Sequence, residues 1–465
     1  MLRRIKGLFS RKPKVVTRFA PSPTGLLHAG SYRTAVFSYL YAKQHKGTFI
    51  LRIEDTDKAR SKKEFENNIV ESLKWLELPH DEFYRQSERT DLYEEWIHKL
   101  IAADKAYISK EEVTEEGQRA EVVRFRNPNK RVRFHDLIRG DVEFDTTELG
   151  DFVIAKSPTE PIFHFVVVLD DFLMGVTHVI RGEDHISNTP RQILIQEALG
   201  APTPVYAHLP LVLALDRSKL SKRHGAQPMT FYRDQGFLPS ALLNYMALIG
   251  WNPGTDQEIF DRQGLVKAFD LSKVQKGGAV FDEKKLRWIN KEHLKRLSKD
   301  KFATILEERI LRSARARDLG WKIDHMLLTN IAPVVLERID TLNDIDTMIE
   351  ERDLDYYFAD PQYDALSLKW KDETDLSGAQ KHLANVRHML QSFKSATWDE
   401  ASVKAVIWPY AEKEGRGAVL WPLRYALSGK DRSPNPFTLA AILGKETTIK
   451  RIETALDKCA HDEIK

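Results

Sequence analysis

Two lysines three positions apart, Lys219 and Lys222, flank the hydroxyl of Ser221 in the run LDRSKLSKRHGA, between Arg217 and Gly225. Such a loop is a cationic strap: ammonium groups act as point charges, serine as a donor, and a polyphosphate is the ligand that suits them. Far upstream, His28 and Ser31 lie in PSPTGLLHAGS, where their side chains can reach the same kind of anion. A third set comprises Arg18, Ser22, Glu54 and Arg181. Guanidinium groups grip carboxylates bidentately and an acid suits an ammonium, so a ligand with two carboxylates and one amine fits this set. Each set also has a plainer reading, as a solvated basic loop, a surface histidine or a surface ion pair. Residue types alone leave both open.

The elements around these residues decide whether they can meet. Val15, Val16 and Phe19 make a short β-rich run, and Pro21, Pro23 and Gly25 force a loop after it. Apolar residues at Tyr32, Ala35, Val36, Tyr39 and Leu40 then keep the spacing of one helical face, with Gly47 where a C-cap would fall. A strand feeding a loop that opens a helix aims free N–H groups and the positive end of the helix dipole into that loop, a ready site for phosphate. TFILRIED reads as a second buried strand ending in Glu54, Asp55 and Asp57, and open α/β sheets bind ligands at such strand ends. Helical patterns cover Lys62–Leu76 and Leu92–Ala103.

From Tyr107 to Glu160 the texture changes to short alternating strands, such as Val122–Phe125 and Val132–Phe134, around the turns NPNK and Arg139–Asp141. This predicts a small α+β insert. FHFVVVLDD, a continuous apolar run ending in Asp170–Asp171, is expected as the strand on which the sheet resumes. THVIRGEDH follows as another strand, with Arg181 at its C-terminal end. Ser187 to Thr189 offer N-caps and Pro190 a first helical position for a helix up to Gly200. VYAHLPLVL is the last strand expected before the lysine loop. Beyond it the pattern is helical, broken by Pro361, Pro409 and the turn Ser433–Pro436.

The chain has 465 residues, 42% hydrophobic and 30% charged, enough for three or more globular domains, with no apolar run near membrane-span length. A net charge of +3 means that any nucleic-acid surface must be local. The single cysteine, Cys459, excludes an internal disulfide and a multi-thiolate zinc site, and a cytoplasmic setting fits. The first 13 residues are a basic arm without a signal-peptide core.

PSPTGLLHAGS followed by RTA resembles the HIGH signature of class I aminoacyl-tRNA synthetases in the form used by glutamyl-tRNA synthetases. KLSKR resembles their KMSKS signature, and order and spacing agree. The resemblance runs from Val15 to about Leu456. It implies a multidomain protein with a Rossmann-like α/β catalytic domain, split at 14–105 and 161–225 by an acceptor-binding insert, 106–160. A stem-contact region, 226–300, and an all-α anticodon-binding half, 301–465, complete it. It implies ATP with Mg²⁺, L-glutamate and tRNA(Glu) as substrates, and a monomer with no membrane partner. By family position, His28, Lys219 and Lys222 are the catalytic residues; Thr24, Gly30, Ser31, Glu183, His208, Leu209 and Ser221 join His28 and Lys222 around ATP. Arg18, Ala20, Ser22, Glu54, Phe163 and Arg181 hold glutamate, and Asp57 and Arg424 meet the tRNA.

Two departures stand out. Family members commonly carry Tyr where this chain has Phe163, so the ring remains and the phenolic donor is lost. No cysteine lies in Tyr107–Glu121, where some relatives carry a zinc insert, so no zinc and no other protein-bound metal is expected. His208 in YAHLPL can equally be a satisfied histidine at a strand end. The basic residues Arg416, Arg424, Lys430, Arg432, Lys445, Lys450 and Arg451, with Trp408 and Trp421, suit an unpaired RNA loop or belong to a solvated bundle with core tryptophans. Alternatives to a discriminating enzyme are one that also charges tRNA(Gln), a glutamyl-Q-tRNA(Asp) synthetase, which lacks the anticodon-binding part, a small-molecule nucleotidyltransferase, and a non-catalytic tRNA-binding paralogue.

Overall fold

The computed structural model describes residues 14–112, 120–220, 227–371, 373–394 and 397–462. The basic arm 1–13 and the lysine-loop residues Ser221, Lys222 and Gly225 lie outside the described residues. The chain divides into two compact units, Met1–His293 and Leu294–Lys465.

In the first unit, β1 (Val16–Phe19) runs into the proline loop and α1 (Ala29–Gln44), which buries Tyr32, Ala35, Val36, Tyr39 and Leu40. The helix closes at His45 rather than Gly47, and Lys46 takes the left-handed φ of 54°. Gly47 is required by a close approach instead, because a Cβ there would lie 2.2 Å from the Val15 carbonyl oxygen. β2 (Thr48–Ile53) pairs parallel to β1, with Arg18 opposite Ile50. After α2 (Lys63–Trp75), β3 (Glu82–Arg85) pairs parallel to β2. Its mostly half-buried residues lack the alternation that marks a strand in sequence.

α3 (Thr90–Ala102) leads into the insert. There β4 (Ala106–Lys110), β5 (Glu121–Phe125), β6 (Arg131–Asp136), β7 (Gly140–Asp145), β8 (Phe152–Ser157) and β9 (Glu160–Pro161) form an antiparallel sheet, β4-β5-β8-β9, and a separate hairpin, β6–β7. FHFVVVLDD is not a strand: Phe163–Leu173 is α4. An unbroken apolar run has no period to reveal its state, and Phe165 to Asp171 are buried all round, among core residues of the insert's sheet and of the next helix.

β10 (His178–Gly182), a 3-10 turn over Glu183–Asn188 and α5 (Thr189–Leu199, closed by Gly200 at φ 66°) precede β11 (Val205–Leu209), which pairs parallel to β10 with Arg181 opposite His208. The Thr177 N–H donates to the Val16 carbonyl at 3.0 Å and the Val16 N–H to Thr177 Oγ1 at 2.9 Å, which seats β10 beside β1. Chain order therefore reverses between β1 and β10, and a crevice opens at the C-terminal ends of those two strands. The β6–β7 hairpin joins the far side of β11, with Asp136 opposite Tyr206. VYAHLPLVL divides into β11 and β12 (Val212–Leu213). α6 (Met229–Asp234), α7 (Pro239–Leu248) and α8 (Arg262–Ala268) follow, then β13 (Ala279–Val280), which pairs with β12, and α9 (Glu283–Lys295).

The second unit is helical: α10 (Lys299–Arg312), α11 (Ala314–Asp318), α12 (His325–Arg338), α13 (Asn343–Glu350), α14 (Asp355–Phe358), α15 (Ser377–Ser392), α16 (Glu400–Glu414), α17 (Arg416–Ser428) and α18 (Pro436–Asp462, kinked at Gly444). Pro361 and the turn before Pro436 interrupt it as expected. Pro409 does not; it lies inside α16. Buried Val403, Ile407 and Ala411 anchor that helix on both sides of the proline, so packing outweighs the lost N–H. Among the described residues no helix is long and apolar enough to cross a membrane.

Candidate active site

The crevice between β1 and β10 opens into a cleft of about 390 Å³. Arg18, Ala20, Ser22, His28, Gly30, Ser31, Glu54, Phe163, Arg181, Leu209 and Lys219 all line it. Residues from three distant stretches thus share one cavity. His28 is the N-cap of α1, and its Nδ1 accepts from the Gly30 N–H at 3.1 Å. In the neutral ring this puts the proton on Nε2, as a donor. A Cβ on Gly30 would lie 2.9 Å from His28 Cε1, so glycine lets the ring fold over the helix start. Lys219 Nζ is 3.5 Å from Asp184, another cleft residue.

Thr24 is exposed on the proline loop and does not line the cleft, and Asp57 is spent on Arg60 at 2.6 Å. Glu183 faces away: it accepts from the Leu211 N–H at 2.7 Å and pairs with Arg139. His208 is fully buried behind the wall.

Beneath the cleft lies a network of buried charge. Arg52, 0% exposed, donates to Asp171 at 2.7 Å and Glu54 at 3.0 Å. Arg18 Nε reaches both Asp171 oxygens at 3.2 and 3.3 Å. Asp170 takes Arg89 Nε at 2.8 Å, the Tyr93 hydroxyl and Gln86. Burial works against the Asp171 charge, but Arg18 and Arg52 hold its carboxyl below the ordinary range; burial pushes that of Glu54 up despite Arg52.

Arg181 is treated differently. Its Nε donates to His208 Nε2 at 3.2 Å, its Nη2 to Thr189 Oγ1 at 2.8 Å, and it lies 5.5 Å over the Tyr206 ring. Among the described residues no carboxylate lies within ion-pair distance of it. Burial pulls its pKa down to about 10. Such a buried cation is costly until an anion arrives. Arg33, also buried and lining the cleft, is pulled down to about 9 by burial and donates to the Pro210 carbonyl. His185, in the cleft, and His164 are pushed down to about 4 by burial, with Arg181 adding to the effect, and both are neutral at pH 7.

Sequence reasoning missed Arg33, Arg52, Asp170, Asp171 and Asp184 as parts of this site. Arg33 stood inside the quoted RTA; the others needed a helix where a strand was expected, or a partner far away in the chain. In the second unit, Arg424 borders a groove of about 500 Å³ with Arg338, Arg432 and Thr438, and its buried Nε has no hydrogen-bond partner. Other basic residues there serve the fold: Arg451 holds the Tyr356, Leu427 and Ala359 carbonyls, Lys430 pairs with Asp353 and Lys450 with Asp360. Trp421 donates to the Ser367 carbonyl, and Trp408 lies under Lys404 and Arg416.

Comparison with known proteins adds independent evidence. Residues 14–119 and 108–288 match the model for the catalytic domain of class I tRNA synthetases (E and Q), and 292–456 match an anticodon binding domain. A protein of Aquifex aeolicus named glutamate–tRNA ligase is 41% identical, the match covering 96% of this chain and 99% of its own. Glutamate–tRNA ligase 1 of Caldanaerobacter subterraneus subsp. tengcongensis is 40% identical over 97% and 99%. The crystal structure of a glutamate tRNA ligase from Elizabethkingia meningosepticum in complex with its amino acid superposes with a TM-score of 0.81 at 30% identity, covering 96% of this chain and all of that one.

Proposed function

The chain belongs to the class I (E and Q) tRNA synthetase family, and from that premise we propose that it is a glutamate–tRNA ligase. It joins L-glutamate to ATP as glutamyl-adenylate, releases pyrophosphate, and passes the glutamyl group to the 3′ end of tRNA(Glu). The observation that carries this is a buried, carboxylate-free Arg181 beside Arg18 in the same cleft as His28 and Lys219.

No protein nucleophile is needed, because the substrate's own carboxylate attacks the α-phosphorus; the protein positions and stabilises charge. His28, through Nε2–H, and Lys219 serve the phosphates, with Lys222 and Ser221 added on the family pattern, and donors on both flanks of the triphosphate stabilise it as pyrophosphate departs. Gly30, Ser31 and Leu209, which line the cleft, complete the ATP side, whereas Thr24, Glu183 and His208, expected there on the family pattern, stand outside its lining. Magnesium enters with ATP as part of that substrate. Among the described residues no cluster of three or more acidic, histidine or cysteine side chains is arranged to hold a metal.

Arg18 and Arg181 grip the carboxylates of glutamate, Glu54 and Ser22 its ammonium, and Ala20 and Phe163 wall the pocket. A neutral glutamine would leave a buried guanidinium unpaired, which supplies rejection without an editing step. Arg424 meets the tRNA at the groove of the helical unit, and Asp57, on the family pattern, does so by exchanging its exposed ion pair with Arg60 for the tRNA. A cytoplasmic, monomeric enzyme belongs to this reading on the family pattern alone. The test is aminoacylation with labelled glutamate against each purified tRNA, for wild type and Lys222→Ala. Charging of tRNA(Glu), lost by at least tenfold in the variant, is expected. No charging by wild type overturns the activity, equal rates overturn the lysine loop's part, and charging of tRNA(Gln) as well marks the non-discriminating form.

A further inference from the structure

Arg181 raises a problem of design: a guanidinium meant to receive a substrate's carboxylate must be aimed without being neutralised. A carboxylate beside it would aim it but also cancel the charge the substrate needs. The acceptor on its Nε is instead the imidazole of His208. Arginine can only donate, so His208 Nε2 must be unprotonated and the proton must sit on Nδ1. That tautomer is set by Asp136, whose Oδ2 lies 2.6 Å from His208 Nδ1, with both residues 0% exposed. Asp136 is itself immobilised: Oδ1 accepts the Ile138 and Arg139 N–H groups at 2.9 and 2.8 Å, and Oδ2 the His208 N–H at 3.0 Å. The His208 ring lies within 14° of the plane of the Tyr206 ring, over which Arg181 is held.

We propose that Asp136 and His208 are a positioning pair that fixes the direction of the Arg181 guanidinium while leaving its charge for the amino-acid substrate. Neither touches the substrate. Asp136 stands at the end of β6, so the inserted segment supplies the residue that sets the pocket arginine. The inference rests on the assignment of Arg181 as a carboxylate-binding group.

Asp136→Asn perturbs the imidazole directly. The amide oxygen of asparagine must take the Oδ1 position to satisfy the Ile138 and Arg139 N–H groups, which turns its NH₂ toward His208 Nδ1 and also gives up the bond that Oδ2 accepts from the His208 backbone N–H, a loss shared by the single and the double variant. Donation to Nδ1 then moves the imidazole proton to Nε2, where it opposes the Arg181 N–H. His208→Gln places an amide near the position of Nε2, free to present its oxygen to Arg181 whatever stands at 136. Steady-state aminoacylation by the full-length enzyme, with glutamate and ATP varied separately, reads the outcome, and thermal melts verify folding.

Asp136→Asn is expected to raise the KM for glutamate about tenfold, the scale of one buried donor left unsatisfied, with the KM for ATP within about twofold of wild type. The double variant Asp136→Asn/His208→Gln should recover a glutamate KM within about threefold of His208→Gln alone, a rescue that a merely structural loss would not produce. An unchanged glutamate KM in Asp136→Asn, a parallel rise in the KM for ATP, or a double variant no better than Asp136→Asn overturns the proposal. If wild type itself fails to charge tRNA with glutamate, the functional assignment fails instead.

Discussion

Replacing Arg181 with methionine should separate stability from activity by moving them in opposite directions. Burial lowers the Arg181 pKa from its ordinary value to about 10. At 1.36 kcal/mol per unit this is about 3 kcal/mol of folding free energy given up at pH 7 to keep the charge. Since the folded pKa is depressed, that cost is present throughout the range below pH 10 and would vanish only where the side chain loses its proton. Methionine fills similar volume, removes the cost and gives up two hydrogen bonds of about 1 kcal/mol each. Their acceptors need not be orphaned, because the Thr189 hydroxyl already lies 3.1 Å from His208 Nε2. The net change is about +1 kcal/mol, roughly 2 °C on the melting transition of the first unit. Activity goes the other way: losing charge-assisted bonds to a substrate carboxylate, about 1.5–3 kcal/mol each, costs about 10²–10⁴ in kcat/KM for glutamate. Differential scanning calorimetry and aminoacylation kinetics measure both. Saturating glutamate should also raise the wild-type melting temperature and leave that of the variant unmoved. A variant that melts about 4 °C or more below wild type, or keeps kcat/KM within tenfold, would refute the view that Arg181 is an uncompensated charge held for the substrate.

The buried network makes the reverse prediction for its neighbour. Arg52→Met strips Glu54 of its nearest cation and should cost about 3–5 kcal/mol at pH 7. That deficit should shrink at pH 5, where Glu54, its pKa raised by burial, takes up a proton more readily; melting curves at the two pH values check it, and an equal or larger loss at pH 5 would count against the network. Burial also pushes His164, His178 and His185 down to about 4. Between pH 6.5 and 4 the unfolded chain therefore binds protons that the folded chain refuses. Stability should be complete above pH 6.5 and drain away toward pH 4, and His178→Phe should flatten that slope in a pH series of melts.

Much of the site was legible in the sequence because its parts are local. The β1–loop–α1 wording places His28, and the strand ends place Arg18, Glu54 and Arg181, before any tertiary contact is known. What stayed hidden depends on long-range pairing. The acids Asp170 and Asp171 were visible, but an apolar run without period concealed that they ride on a helix and face Arg52, Arg18 and Arg89 from other elements. His208 could be a ligand contact or a satisfied core histidine, and only its partner Asp136, 72 positions away, shows the second. β3 carries no alternation, and Pro409 looked like a helix end because a proline's cost is local while the packing that overrides it is not.

The attachment of the β6–β7 hairpin to β11 bears on how this enzyme could be shortened. An engineer seeking a minimal catalytic core would excise residues 106–160 as a self-contained cassette. The cut would take Asp136 with it and strip the Leu137 N–H from the Tyr206 carbonyl, baring the flank of the outermost parallel strand. An exposed strand flank invites pairing between molecules. A trimmed version would have to retain 131–145 on a new linker, or trade size for aggregation.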